Sequence, residues 1–245
     1  MPKRDLMNNG FLVQLFDWEQ RVTSIFPRTL NKLFWQFKAP WVIRRITDVR
    51  KNMTNVEQRL NLWHLASQPL AYGVPGDFVE LGCFDGKTAV IFARLIEHFD
   101  SDRRLHLYDH FRISFNLTGR DIEQELIHNF RTANCPEPVI HAGDFMVTVP
   151  KELPDKIAFV HIDCGFGGDV EMHKLVLLHL FQHVYPRMPS GAIAVLMDYY
   201  DPSVNTGANF NPGATLAANE FLADKPEKVS ALWANECTHG YFRKI

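Results

Sequence analysis

The stretch E-L-G-C-F-D-G-K-T at 80–88 is the first group of residues suited to ligand chemistry. Gly82 and Gly86 let a backbone approach a ligand closely, and a helix starting near Lys87 and Thr88 offers free N–H groups to an anion. The G-x-x-x-G spacing is not the G-x-G-x-x-G of a dinucleotide site, and it lacks the four residues that a P-loop places between its glycines. Glu80, two residues before Gly82, suits a positively charged ligand. S-adenosylmethionine, with an ammonium and a sulfonium, is such a ligand; a tight turn with no ligand is the competing reading. Asp109, in D-H-F, can accept both hydroxyls of a ribose. Asp144 beside Phe145 suits the amino group and ring face of adenine. Either acid can equally be a solvated loop carboxylate. Asp163, in H-I-D-C-G, and Asp198, in M-D-Y-Y, can share a magnesium ion that polarises a substrate hydroxyl, or they are ordinary loop acids. His161 reads as a core histidine, and the His179/His183 pair as surface.

These residues need a scaffold that brings them to one edge. Apolar runs at Phe78–Leu81, Leu105–Tyr108, Val139–His141, Ile157–Ile162 and Ile193–Met197 read as strands. Helical periodicity covers residues 54–70, 87–98, 122–130, 170–184 and 214–222, and Ala231–Arg243 offers one or two last strands. Strands alternating with helices predict an α/β domain with a mainly parallel sheet, whose ligands bind beyond the carboxyl ends of the strands. Glu80 lies in the first of those strands, and each aspartate above follows one of them. The Asn- and Gly-rich segment Pro202–Pro212 is a candidate lid or a plain connection.

The whole chain has 245 residues, is 46% hydrophobic and carries a net charge of −2, which excludes a disordered chain and argues against a nucleic-acid partner. That average hides a division. Residues 1–51 hold ten Lys/Arg against four Asp/Glu, together with eight of the thirty aromatics; the remainder is acidic. The four cysteines form no C-x-x-C pair, and no signal-peptide pattern or membrane-length apolar run is present. Reduced thiols of this kind point to a cytoplasmic protein. Pro27 and Pro40 divide the basic arm into helical pieces at Phe11–Ile25, Leu30–Phe37 and Trp41–Val49. The arm reads as a cover over the site or a contact between copies, as a peripheral contact with an anionic membrane surface, or as a packed helical subdomain.

M-T-N-V-E-Q-R-L-N-L at 53–62, followed by G-V-P-G-D-F-V-E-L-G-C-F-D-G-K-T-A, resembles the macrocin O-methyltransferase family. Y-D-H-F at 108–111, A-G-D-F at 142–145, F-V-H-I-D at 159–163, Y-P-R-M-P-S-G at 185–191, M-D-Y-Y at 197–200 and the final G-Y-F-R-K extend the likeness over residues 53–245. The resemblance implies a Rossmann-like class I methyltransferase domain with a seven-stranded sheet, preceded by a helical extension at 1–52. It implies transfer of methyl from S-adenosylmethionine to a hydroxyl of a sugar, glycoconjugate or natural product, and a homo-oligomer. A scaffold that binds S-adenosylmethionine without catalysis is the alternative. The cofactor set so implied is Thr54, Glu80, Gly82, Phe84, Gly86, Lys87, Thr88, Asp109, His110, Asp144, Phe145 and Asp163. The catalytic set is Asp163, Asp198 and His110, and the metal ligands are Asp163 and Asp198. Three departures stand out. The usual D-G-D after the fourth strand is Asp163-Cys164-Gly165; the usual D-D-Y after the fifth is Met197-Asp198-Tyr199; and the usual Asp-Ser-Phe after the second is Asp109-His110-Phe111. One expected magnesium carboxylate is therefore missing, and His110 is available as a base.

Overall fold

In the computed structural model the described residues are 29, 32–34, 36–38, 54–112, 121–165, 168–205, 209–234 and 237–245. The chain divides into two units, Met1–Met53 and Thr54–Ile245. Apart from isolated positions near Leu33, the first unit lies outside the described residues, and so do the helices and roles expected of the basic arm.

The second unit opens with helix α1 (Val56–Ala71), started by a reciprocal cap in which Asn55 Oδ1 accepts from Gln58 N–H and Gln58 Oε1 accepts from Asn55 N–H. Then follow β1 (Asp77–Leu81), α2 (Ala89–His98), β2 (Leu105–Asp109), α3 (Ile122–Thr132), β3 (Val139–Ala142), α4 (Phe145–Glu152) and β4 (Ile157–Ile162). The chain ends with α5 (Val170–Val184), β5 (Ile193–Met197), α6 (Pro212–Phe221), β6 (Ser230–Leu232) and β7 (His239–Arg243). One seven-stranded sheet forms in the order β3-β2-β1-β4-β5-β7-β6. The first five strands are parallel, and β7 runs antiparallel between β5 and β6.

The burial pattern explains that order. Every residue of β2, β4 and β5 is buried, as a parallel strand covered by helices on both faces requires. Phe78, Phe92 and Phe159 pack with ring centroids 5.0–5.2 Å apart, which joins β1, β4 and α2. The edge strand β3 is held by a polar chain instead. Asp77 contacts His106, His106 Nδ1 lies 3.0 Å from His141 Nε2, and His141 Nδ1 lies 2.8 Å from Glu152.

All expected strands and five expected helices appear, with shifts of one to two residues at most ends. Helix α4 was not expected. Val147, Thr148 and Val149 are β-branched and Pro150 interrupts the pattern, so its propensity is poor. The helix forms because Asp144 caps it, accepting from Met146 N–H, and because Thr148 and Val149 are buried. The α5 histidines are less exposed than expected: His173 is buried, and His179 and His183 are half-buried with ring centroids 4.6 Å apart. Among the described residues no helix is long and apolar enough to cross a membrane.

The carboxyl terminus is latched by Glu227, which is 2% exposed. It accepts from Tyr185 Oη at 2.7 Å, Lys244 Nζ at 3.1 Å and Ile245 N–H at 3.0 Å. Burial alone would raise its pKa, but these donors outweigh burial and hold it at about 2. Its folded value is depressed, so its contribution is complete above the ordinary glutamate range and disappears as pH falls from about 4.5 to about 2. Glu227→Gln is expected to cost roughly 2–3 kcal/mol at pH 7 in urea denaturation and to flatten the loss of stability across that acid window.

Candidate functional site

The strand order reverses between β1 and β4, and the loops beyond their carboxyl ends meet there. Gly82 has φ +89°, and a Cβ at that position would stand 1.8 Å from the Asp163 carbonyl oxygen. Any side chain would drive the two loops apart. Glu80 on β1 is in register with His161 on β4, and its Oε1 lies 2.7 Å from His161 Nδ1. Both side chains are buried, and Glu80 Oε2 and His161 Nε2 are buried without a hydrogen-bond partner among the described residues. Burial raises the Glu80 pKa well above the carboxylate range, with Asp109 and Asp85 adding to it, and lowers His161 to about 4. Burial thus disfavours the charged form of each, and one carboxyl oxygen is left in reserve.

Beyond β2, Asp109 organises two loops. Its Oδ2 accepts from Phe84 N–H at 2.9 Å and its Oδ1 from Phe111 N–H at 3.0 Å. Phe84 and Phe111 have φ of +45° and +54°, conformations that cost on the order of 1 kcal/mol each and persist only where other contacts enforce them. His110 stands beside Asp109 on the exposed side, and its Nδ1 accepts from Arg112 N–H. Among the described residues, no hydrogen bond or ion pair joins His110 to Asp163 or Asp198.

Several expected cofactor residues have another local task in the structure. Gly86 (φ +73°) makes room for α3, since a Cβ there would lie 2.7 Å from Leu126 Cγ. Lys87 pairs with Asp85 at 2.6 Å, and Thr88 starts α2 without a side-chain cap bond. Thr54 is buried and accepts from Arg59 Nε. Asp144 caps α4, whose first residue is the half-buried Phe145.

Beyond β4 and β5 lie Asp163 and Asp198. Burial, and then the Asp198, Glu80 and Asp109 carboxylates, raise Asp163 to about 7 against the opposing influence of His161. Burial raises Asp198 too, opposed by a hydrogen bond from Asn211. Asn211 Nδ2 donates to Asp198 Oδ2 at 2.8 Å. Asn211 was not foreseen; the sequence placed it only within the candidate lid Pro202–Pro212. Met197 is buried in β5, and Gly165 contributes no donor. Among the described residues, no three His, Cys, Asp or Glu side chains are placed to hold a metal ion. The magnesium site expected from Asp163 and Asp198 thus lacks its third carboxylate, and the donor set does not fit a protein-held divalent centre. Cavities of about 510 and 770 Å³ open beside Arg103 and Arg104 at the amino ends of the strands. They are remote from this chemistry, because none of the carboxyl-end acids lines them.

No family model matches the chain. The sequence is 26% identical over 179 residues to the mycinamicin III 3''-O-methyltransferase of Micromonospora griseorubida, covering 63% of this chain and 67% of that protein. The O-methyltransferase NovP superposes with a TM-score of 0.63, covering 84% of this chain and 85% of NovP at 19% identity. CalS11, a TDP-rhamnose 3'-O-methyltransferase of calicheamicin biosynthesis, does so with a TM-score of 0.57, covering 76% and 78% at 20% identity. The fold is the Rossmann-like fold of class I methyltransferases, as the sequence resemblance implied.

Asp109 is the hub of the loops beyond β1 and β2. Asp109→Asn turns an N–H group toward one of the two amides and is expected to cost about 2 kcal/mol. Hydrogen exchange should quicken at the Phe84 and Phe111 amides while β4 and β5 keep their protection.

Proposed function

We propose that residues 53–245 form an S-adenosylmethionine-dependent O-methyltransferase whose acceptor is a hydroxyl of a sugar, a glycoconjugate or another small natural product. One observation carries this reading. A buried carboxyl with an oxygen in reserve, Glu80, adjoins the Asp163–Asp198 acids across the tight Gly82–Asp163 contact, so a cation-binding half and a proton-accepting half share one edge. The similarity to proteins named for mycinamicin III and TDP-rhamnose supports a glycosidic or nucleotide-sugar acceptor.

S-adenosylmethionine, when bound, supplies a methyl group already activated by its sulfonium. Glu80 Oε2 would hold its ammonium, the positive charge favouring ionised Glu80 with loss of its proton to solvent, while His161 Nδ1 stays on the other oxygen. Asp109 keeps lone pairs for ribose hydroxyls after bonding Phe84 and Phe111, and His110 borders that end. Asp144 and Phe145 border the adenine. An Asp163 carboxylate oxygen receives the acceptor hydroxyl proton; burial and the neighbouring acids make it a stronger base than a free carboxylate. Asp198 orients the acceptor hydroxyl toward it. Holding donor and acceptor in line in a water-poor pocket supplies the remaining rate enhancement.

The test is calorimetry with S-adenosylhomocysteine, followed by transfer of labelled methyl to TDP-rhamnose and mycinamicin III as probe acceptors. Glu80→Gln keeps the His161 bond but loses the charge, and should weaken S-adenosylhomocysteine binding about 10–100-fold. Because the Glu80 pKa is raised and only its ionised form pairs with an ammonium, wild-type binding should tighten as pH rises above the ordinary glutamate range, with uptake of the ligand releasing a proton. Asp163→Asn should lower turnover by at least about 100-fold with S-adenosylhomocysteine affinity unchanged. Absence of binding by the wild type sinks the enzyme reading, and tight binding with no turnover on hydroxylated acceptors favours a non-catalytic scaffold.

A further inference from the structure

Asn211 occupies the residue before helix α6, with Pro212 as the first helical residue. An asparagine at this position ordinarily turns its side-chain oxygen back to the N–H groups of the first turn, which stabilises the helix by about 1 kcal/mol. Asn211 makes no such bond. Its carboxamide is directed away from its own helix, and Nδ2 donates to Asp198 Oδ2 at 2.8 Å. The receiving residue is itself held in an unfavourable state: Asp198 has φ +63°, with its N–H donating to Thr238 O at 3.0 Å. A helix cap is thus forgone and a backbone is strained at the two ends of one hydrogen bond.

The neighbouring glycine makes that bond possible. A Cβ at Gly165 would lie 2.6 Å from Asp198 Oδ2 and 2.7 Å from Asn211 Nδ2. Any side chain there, an aspartate included, would occupy the place where the carboxamide meets the carboxylate. On the β5 side the adjacent residue is Met197, buried and without a strong oxygen donor. Asp198 stands near a second acid, Asp163, close enough for its carboxylate to raise the Asp163 pKa. Two acids at such a distance need something to fix their orientation, and in a metal enzyme a divalent cation does so.

Resting on the methyltransferase reading above, we infer that Asn211 is the positioning residue for Asp198, its carboxamide N–H holding the carboxylate where a divalent cation would otherwise sit, so that this acid pair works without a metal. Asn211 touches neither substrate nor cofactor in this role; it acts through Asp198. It also ties the segment after β5 to the acids, since Tyr200 N–H bonds Thr215 Oγ1 at the first turn of the same helix.

The experiment uses the full chain saturated with S-adenosylhomocysteine and titrated with Mn²⁺, the free ion being read by electron paramagnetic resonance. Wild type should bind Mn²⁺ weakly, Asn211→Ala more tightly because Asp198 Oδ2 is released, and Asn211→Asp at least about tenfold more tightly than wild type, because three carboxylates then converge. A merely structural asparagine would not produce that order. Wild type binding Mn²⁺ as tightly as Asn211→Asp overturns the inference, and so does an Asn211→Asp variant with no gain. In the transfer assay with TDP-rhamnose, EDTA should leave wild type unchanged, and Asn211→Ala should lose about tenfold in kcat with the KM for S-adenosylmethionine unaltered. Inactivation of the wild type by EDTA, or an unchanged kcat in Asn211→Ala, also overturns it. A wild type that methylates no probe acceptor counts against the proposed function, while the Mn²⁺ titration still decides the placement of Asn211.

Discussion

The hydrogen bond between Glu80 and His161 is the interaction on which the rest of the site depends. Two titratable side chains lie side by side on central strands, wholly removed from water. Isolated charges would be ruinous there, so burial selects the uncharged form of each and the bond between them compensates for lost solvation. The arrangement has a residue: one carboxyl oxygen and one ring nitrogen are left without partners. Such atoms are uncommon in folded interiors and mark places where something else completes the pairing. Here they lie at the switch in strand order, the place where sheets of this kind bind their ligands.

Much of this architecture is legible in the sequence because the core of a parallel sheet imposes a simple signal. β5 is a continuous apolar run and β4 is one broken only by His161, and both were placed to the residue at each end. The acids were legible for a related reason: each stands one or two residues past an apolar run, where a doubly wound sheet puts its ligands. Helix α4 was not legible, because its formation depends on a single cap at Asp144 and on burial of Thr148 and Val149 rather than on propensity. Gly86 reads in the sequence as a cofactor glycine, yet the atom its missing side chain would strike is Leu126 Cγ on α3. Motif spacing cannot tell a glycine needed for a ligand from one needed for a neighbouring helix.

The same limit applies to the acids beyond β4 and β5. Sequence comparison exposes Gly165 and Met197 as losses, two positions where a carboxylate is expected and absent. The structure shows that the first loss makes room for something. Asn211 lies 46 residues beyond Gly165 in the chain, and no local pattern links them. Only the folded geometry brings the carboxamide, the vacant Cβ position and Asp198 together. Local rules are broken at both partners, a helix without its cap bond and an aspartate with positive φ, and departures of that kind concentrate at working sites.

The contact between Gly82 and the Asp163 carbonyl has a consequence for how such a chain can diversify. With no clearance between the loops after β1 and β4, neither can lengthen or shift without displacing the other. On the proposed methyltransferase reading, the half that would grip the donor and the half that would remove a proton are therefore inherited as one piece. New acceptor range must come from elsewhere, and between β5 and α6 Val204 and Phe210 are open to solvent. Relatives of this fold should differ most in what they methylate where the chain leaves β5, and least in how they hold the methyl donor.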